Sequence, residues 1–181
     1  MNVCLVSESP QHILLQTLND RNQVVIDKLL ATEGVKDWIN HCTLPKQLGN
    51  PIIEFKDADS ITCLSFASLV SDDATVRQLV EAGADVTVAD GRGYTALHHV
   101  CARYVSSAGF NQADRVRALI YDHGVSVNTT DRLGWTALHL AAQAGHAEAV
   151  SVLVSHPSCV ISITVGPFGC TAADFARRRG R

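Results

Sequence analysis

One short phrase is written three times along this chain: Gly93-Tyr94-Thr95-Ala96-Leu97-His98, Gly134-Trp135-Thr136-Ala137-Leu138-His139 and Gly169-Cys170-Thr171-Ala172-Ala173-Asp174. A fainter copy, Ser60-Ile61-Thr62-Cys63-Leu64-Ser65, precedes them. The four threonines stand at 62, 95, 136 and 171, which gives spacings of 33, 41 and 35. A period near 33 built on a Thr-x-Leu-His core marks an array of small units, because such a unit cannot bury its apolar face alone and must stack on its neighbours. The pattern therefore moves the functional question from pockets to surfaces.

A second pattern, independent of the motif, follows each threonine. Apolar residues recur at i, i+3 and i+4 in Val76/Leu79/Val80, Val116/Leu119/Ile120 and Val150/Leu153/Val154, a spacing that places three branched side chains on one helix face. From threonine to first valine is 14 residues in the first and third units and 21 in the second. The second unit therefore carries seven extra residues between its helices, within 105–112. The remaining departures from 33 fall after the second helix, so all lie in connections, where insertion costs little.

On these residues the chain resembles the ankyrin-repeat family, whose unit is a turn and two helices opening with Thr-Pro-Leu-His-x-Ala. The third unit matches best, with Asp131-Arg132-Leu133-Gly134-Trp135-Thr136-Ala137-Leu138-His139-Leu140-Ala141-Ala142 followed by Gly145-His146. Alanine takes the place of the family's proline at 96, 137 and 172, and Ser65 stands in the histidine place of the first unit. The resemblance covers 57–181 and implies an all-α solenoid of stacked helix–turn–helix units with short hairpin-like turns. The boundaries expected are 57–89, 90–130 with the insertion between its helices, 131–165 and a partial unit at 166–181. The resemblance also implies that the motif threonine bonds the motif histidine, pairing Thr95 with His98 and Thr136 with His139 as structural residues.

Residues 1–56 are expected to hold a degenerate leading unit and a long loop. Ile26, Leu29 and Leu30 repeat the second-helix pattern, and Leu14 falls where Leu64, Leu97 and Leu138 sit. Ser9-Pro10 supplies a cap and a first-turn proline, and 19–22 reads as the turn between two helices. A capping unit of this kind keeps solvent off the end of a stack. The segment 32–56, with Pro45, Gly49-Asn50-Pro51 and Ile52/Ile53/Phe55, reads as an elongated loop folded back on the array.

Composition agrees with a folded, intracellular chain: 181 residues, 46% hydrophobic, 18% charged and net charge −3. No apolar run approaches the roughly 20 residues that span a bilayer, and the first eight residues lack the pattern of a secretory signal. The six cysteines form no CxxC pair, so Cys63 and Cys101 read as reduced packing thiols of a cytoplasmic protein, with a nuclear location as the alternative. No membrane contact is expected.

Chemistry-bearing constellations are few. Cys101 lies three residues from His98, a spacing that superficially suggests a thiol–imidazole pair, but the motif already employs His98, and Cys101 stands where the third unit has Ala142. His41-Cys42 lacks the further ligands a metal site needs, and Gly91-Arg92-Gly93 is the turn before a unit rather than a phosphate loop. No catalytic residue, cofactor or metal is expected, and the chain reads as a non-enzyme. His99, in the place of Leu140, reads either as a partly buried or rim histidine with a satisfied ring or as a pH-sensitive contact.

What remains is surface. Carried onto the family's contact positions, the turn tips and solvent side of the first helices present Arg92, Tyr94 and Arg103 from the second unit. The third presents Arg132, Leu133, Trp135 and Gln143, and the fourth Phe168. Tyr94 and Trp135 share one slot a unit apart and are flanked by arginines, the residue types enriched at binding hot spots. They read as the contact patch for an acidic protein partner, or alternatively as packing against the adjoining turn. Phe110, in the insertion, is a second candidate anchor. The chain closes on Arg177-Arg178-Arg179-Gly180-Arg181 without a second helix in the fourth unit, which reads as a fragment leaving Phe175 without a partner, or as a final helix capped by charge. A basic tail also raises nucleic-acid binding, a minority reading against the net charge of −3. The function expected is protein–protein recognition by a monomeric scaffold or adaptor. The alternative is a regulatory region of a larger enzyme or signalling protein.

Overall fold

A computed structural model describes residues 10–41, 61–102 and 111–179. Within them the chain forms α1 (Pro10–Asn19), α2 (Gln23–Leu30), α3 (Val35–Trp38), α4 (Cys63–Val70), α5 (Asp73–Glu81), α6 (Ala96–Ala102) and α7 (Gln112–Arg117). They continue with α8 (Ala137–Ala144), α9 (Ala147–Val154) and α10 (Ala172–Arg179). No strand is present among the described residues; isolated bridges join Thr130 with Thr136 and Val165 with Cys170. The architecture is an all-α solenoid.

The helices form two rows. First helices pack in sequence, α1 on α4, α4 on α6, α6 on α8 and α8 on α10. Second helices lie behind them, α2 on α1, α5 on α4, α7 on α6 and α9 on α8. Position in the stack explains composition. Helix α8 has neighbours on three sides, and Ala137, Leu138, His139, Leu140, Ala141 and Ala142 are all buried. Its alanines let the flanking helices approach closely, and a helix buried on nearly every side needs no polar stripe. In α5, by contrast, Thr75, Val76 and Leu79 are buried and the outer side is polar.

Short polar residues set the helix ends. Thr62 accepts from the Ser65 amide at 3.0 Å to open α4, and Asp72 accepts from the Thr75 amide at 2.8 Å to open α5. Each satisfies a donor that the first helical turn leaves open. Helix α8 ends at Gly145 with φ +78°, the left-handed closure that glycine adopts without penalty.

Ahead of the first matched unit, α1 begins at Pro10, and Asn22 caps α2 by accepting from the Val25 amide at 3.4 Å. Leu14, Leu15, Leu18 and Ile26 are fully buried in the same core as the repeats. The segment from 32 differs from the expected loop: it contains the helical turn α3, whose Val35 and the following Ile39 are buried. Asn40 fastens it, donating to the Gly83 carbonyl at 3.1 Å and accepting from the Asp85 amide at 2.7 Å. The rest of that segment lies outside the described residues, as do Phe110 and most of the insertion.

Two further details depart from the sequence reading. The second helix of the second unit is not uniform: after α7 the chain widens into a π-helical turn over Ala118–Asp122. In α9 the expected triplet is rotated, for Leu153 is fully buried while Val154 is 48% exposed, and Ala149 and Val152 take the inner positions. The expected face counted three residues from one end of an eight-residue helix, too few to fix its angle against α7 and α8.

Candidate functional site

The turns between units repeat one construction. Asp90 N–H donates to the Tyr94 carbonyl at 2.9 Å, and Asp131 N–H donates to the Trp135 carbonyl at 2.8 Å, closing each loop like a hairpin. The aspartate side chains complete them. Asp90 Oδ1 accepts from the amides of Arg92 at 2.8 Å and Tyr94 at 2.9 Å, and Asp131 Oδ1 accepts from Leu133 and Trp135, both at 2.8 Å. Neighbouring turns are stitched together by the Arg132 amide, which donates to the Arg92 carbonyl at 3.0 Å. Gly93 sits at φ +85° beside that stitch, where a Cβ would lie 2.9 Å from Arg132 N.

Behind each turn lies the motif pair. Thr95 Oγ1 is 2.9 Å from His98 Nδ1 and Thr136 Oγ1 is 2.8 Å from His139 Nδ1, with each threonine's amide donating to the same nitrogen at 3.3 Å. A backbone N–H only donates, so Nδ1 accepts and the proton sits on Nε2. From His98 that proton reaches the following unit, at the Trp135 carbonyl 3.2 Å away, and from His139 it reaches the Ile163 carbonyl at 3.0 Å, near the end of its own unit. In the fourth unit Asp174 replaces histidine and accepts from the Thr171 amide at 2.9 Å and hydroxyl at 2.8 Å. Burial lowers the pKa of His98 and His139 below the ordinary 6.5, since a proton added on Nδ1 would bring charge into the core. His98 holds adjacent units together, and His139 holds the connection that leads to the fourth.

Cys101 and His98 do not form a reactive pair. Burial pushes the Cys101 thiol up to about 12, and His98 is already bonded on both nitrogens. Cys63 is likewise buried, Cys159 and Cys170 are half-buried, none of these cysteines is in a disulfide, and Cys4 and Cys42 lie outside the described residues. Among the described residues no group of three or more His, Cys, Asp or Glu side chains is arranged to hold a metal. No described helix is long and apolar enough to cross a membrane.

The residues singled out as a contact patch fall into three groups. Arg92 and Tyr94 are together, the guanidinium carbon 4.7 Å from the ring centroid. Tyr94 in turn stacks on His98 at 5.6 Å and 27°, and His98 bonds the Trp135 carbonyl, so the two aromatic slots meet through that histidine. Trp135 is half-buried, its ring 4.6 Å from that of Phe175. Phe175 was expected to lack a partner, and α10 instead lays it against the indole of the preceding unit. Leu133 and Phe168 stand out, 76% and 88% exposed. With Arg92 they occupy one slot, the residue before the turn glycine in three successive units. Arg132 is exposed beside Leu133. Gln143 is exposed near the end of α8, and its carbonyl accepts from Arg179 at 2.6 Å. Arg103 lies outside the described residues.

His99 is neither on the rim nor in contact with solvent. It is fully buried, and its Nε2 is 3.0 Å from Asp90 Oδ2. Burial alone would raise the Asp90 carboxyl, but hydrogen bonds from His99 and the Tyr94 and Arg92 amides, with the His99 charge, outweigh it and bring the pKa below 3.8. A signal existed in the sequence: an imidazole in a leucine place, nine residues after an aspartate. A groove of about 510 Å³ between α7, its π-helical extension and α9 contains none of the residues the sequence singled out.

The fold, the threonine–histidine register and the stitched turns define a class, the helical repeat stacks that present a row of loops. The chain belongs to the ankyrin-repeat family: the family model, "Ankyrin repeats (3 copies)", matches residues 64–165 and again 103–181. Over 107 residues it is 38% identical to "Calmodulin-binding transcription activator CBT" of Oryza sativa subsp. japonica, covering 57% of this chain and 11% of the relative. It is 36% identical over 95 residues to "Calmodulin-binding transcription activator 6" of Arabidopsis thaliana, covering 50% and 10%. It is 33% identical over 85 residues to "Delta-latroinsectotoxin-Lt1a" of Latrodectus tredecimguttatus, covering 47% and 6%. The matched regions span about a tenth or less of the length of these relatives. Ankyrin repeats are in general protein-interaction modules.

Proposed function

We propose that this chain is a non-catalytic recognition module that binds an acidic protein partner through the turn tips and the solvent side of its first helices. The observation that carries this reading is the register of Arg92, Leu133 and Phe168, one residue per turn, with the two apolar members 76% and 88% exposed. Large apolar side chains presented at successive tips, with Arg132 beside them, have no packing role to explain them and suit a partner that buries them. On this reading Trp135 acts mainly as the wall supporting the tips, because its ring already faces Phe175. The helix pair α1–α2 serves as the leading cap, since α1 packs on α4 as α4 packs on α6.

The test is affinity capture from cell lysate with wild type beside a Leu133→Ser/Phe168→Ser variant. Both side chains are exposed, so the variant keeps wild-type stability within about 0.5 kcal/mol. A protein retained by wild type and lost from the variant is the expected result, and equal retention overturns the reading.

A second reading is favoured by the lengths of the relatives. The rice and Arabidopsis proteins are by name transcription activators and are about ten times longer than the matched region. The array would then be the interaction part of a larger regulatory protein acting in the nucleus.

A further inference from the structure

The position four residues after the motif threonine holds Phe66, His99, Leu140 and Phe175 in the four units. Three units place a hydrocarbon or an aromatic ring there, and the second places an imidazole. A buried imidazole is costly without a partner, and here the partner is Asp90 Oδ2 at 3.0 Å, both side chains 1% exposed. Asp131 makes the same Oδ1 bonds in the next turn as Asp90 does in this one, but there Leu140 stands in the histidine place and offers no donor. The two turns therefore differ in what occupies the second carboxylate oxygen.

That difference decides the fate of Arg92. Its Nε, shut off from solvent, makes a long ion pair of 4.0 Å with Asp90 Oδ2 and no hydrogen bond. It rests instead over the Tyr94 ring at 4.7 Å, with the side chain 39% exposed. Tyr94 is fixed in turn by His98, on which it stacks, and by His99, which it meets at 5.4 Å and 69°. With the guanidinium carbon over the ring and Nε buried, the terminal amino groups are the donors left to a partner, and the two of them match a carboxylate in two parallel bonds. With His99 absent, Oδ2 would be open and one arginine rotation away, and the fork would close on its own aspartate.

We propose that Arg92, presented on Tyr94, is a carboxylate-binding subsite for an Asp or Glu side chain of the partner. His99 is its positioning residue, occupying Asp90 Oδ2 so that Arg92 stays outward. This rests on the reading of the turn tips as a contact surface. It adds the chemical group bound at one tip and the buried residue that keeps the tip open.

The experiment is an NMR titration of the whole chain with a capped hexaglutamate peptide, following the Arg92 Nε–Hε signal and the tip amides. In wild type the Arg92 signal shifts saturably, and Arg92→Ala weakens binding at least tenfold. His99→Leu, the residue the next unit uses, weakens it at least threefold. In the same variant without peptide the Arg92 Nε–Hε proton moves downfield, because it is bonded to Asp90; a purely structural role for His99 would not produce that shift. Unchanged affinity in His99→Leu, or shifts at Arg132 and Leu133 with Arg92 silent, overturns the subsite alone. If the peptide shifts no tip residue, the acidic-partner reading of the tips falls with it. Arg92→Ala changes a half-buried side chain that makes no hydrogen bond through Nε, so the proposal remains testable if His99→Leu fails to fold.

Discussion

His98 and His139 show how one side chain fastens two separate stretches of chain at once. Nδ1 accepts inside its own turn while Nε2 donates further along the chain, and both jobs require the neutral ring. Burial lowers the folded pKa of both, and of His146, below 6.5, whereas the unfolded chain takes up its protons near 6.5. Between those values the unfolded state binds more protons, so stability falls with falling pH and is fully retained only above about 6.5. Asp90 works in the opposite acid range, its carboxyl held below 3.8, and so it contributes nothing to a change across this window. Urea unfolding at pH 7.5 and at pH 5.5 should give a lower midpoint at 5.5 with an unchanged slope; a midpoint that rises on acidification would mean the rings are charged in the fold.

At the scale of elements, the turns are more demanding than the helices. Gly93 and Gly124 both have positive φ, +85° and +67°, but only at Gly93 does the space beyond Cα hold a neighbour, Arg132 N at 2.9 Å. Gly124→Ala should cost about 1 kcal/mol for the left-handed backbone. Gly93→Ala should cost about 2–4 kcal/mol, because the stitch between two turns must also move. Thermal melts of the two variants side by side decide the matter, and equal losses would show that the turns are not held together at Arg92 and Arg132.

The same contrast separates what could be read in advance from what could not. Repeated phrases such as Thr136-Ala137-Leu138-His139 carry both the fold and the cap, because one short stretch of chain fixes its own hydrogen bonds. The orientation of α9 is not local: whether Val154 or Val152 turns inward depends on the helix it lies against, and Val154 is the exposed one. Asn40 is silent in the sequence for the same reason, since its partners Gly83 and Asp85 are more than forty residues away. Of the candidate site, the slot shared by Arg92, Leu133 and Phe168 was legible from the turn glycines, and the Trp135–Phe175 contact was not, because it joins two units.

The whole molecule is a row in which each unit meets the next, so its cooperativity is set by the joints between units. One of those joints is the forward bond of His98 to the Trp135 carbonyl, and the bond of His139 to the Ile163 carbonyl runs the same way, toward the C-terminus. Stretch the molecule by its ends and those joints carry the load in series. The fourth unit has few buried residues to resist, with Ala172 the one buried member of α10, so it should peel first, up to the connection that His139 holds at Ile163. The next rupture then frees the third unit, and the one after it the second. Motif spacings of 35 and 41 residues predict successive extensions of about 125 Å and about 150 Å at full stretch, and a single abrupt extension of the whole chain would show that the stack breaks as one body. Drawn out from that end, this protein would pay itself out like a ratchet released tooth by tooth, the longest tooth being the one that carries the insertion.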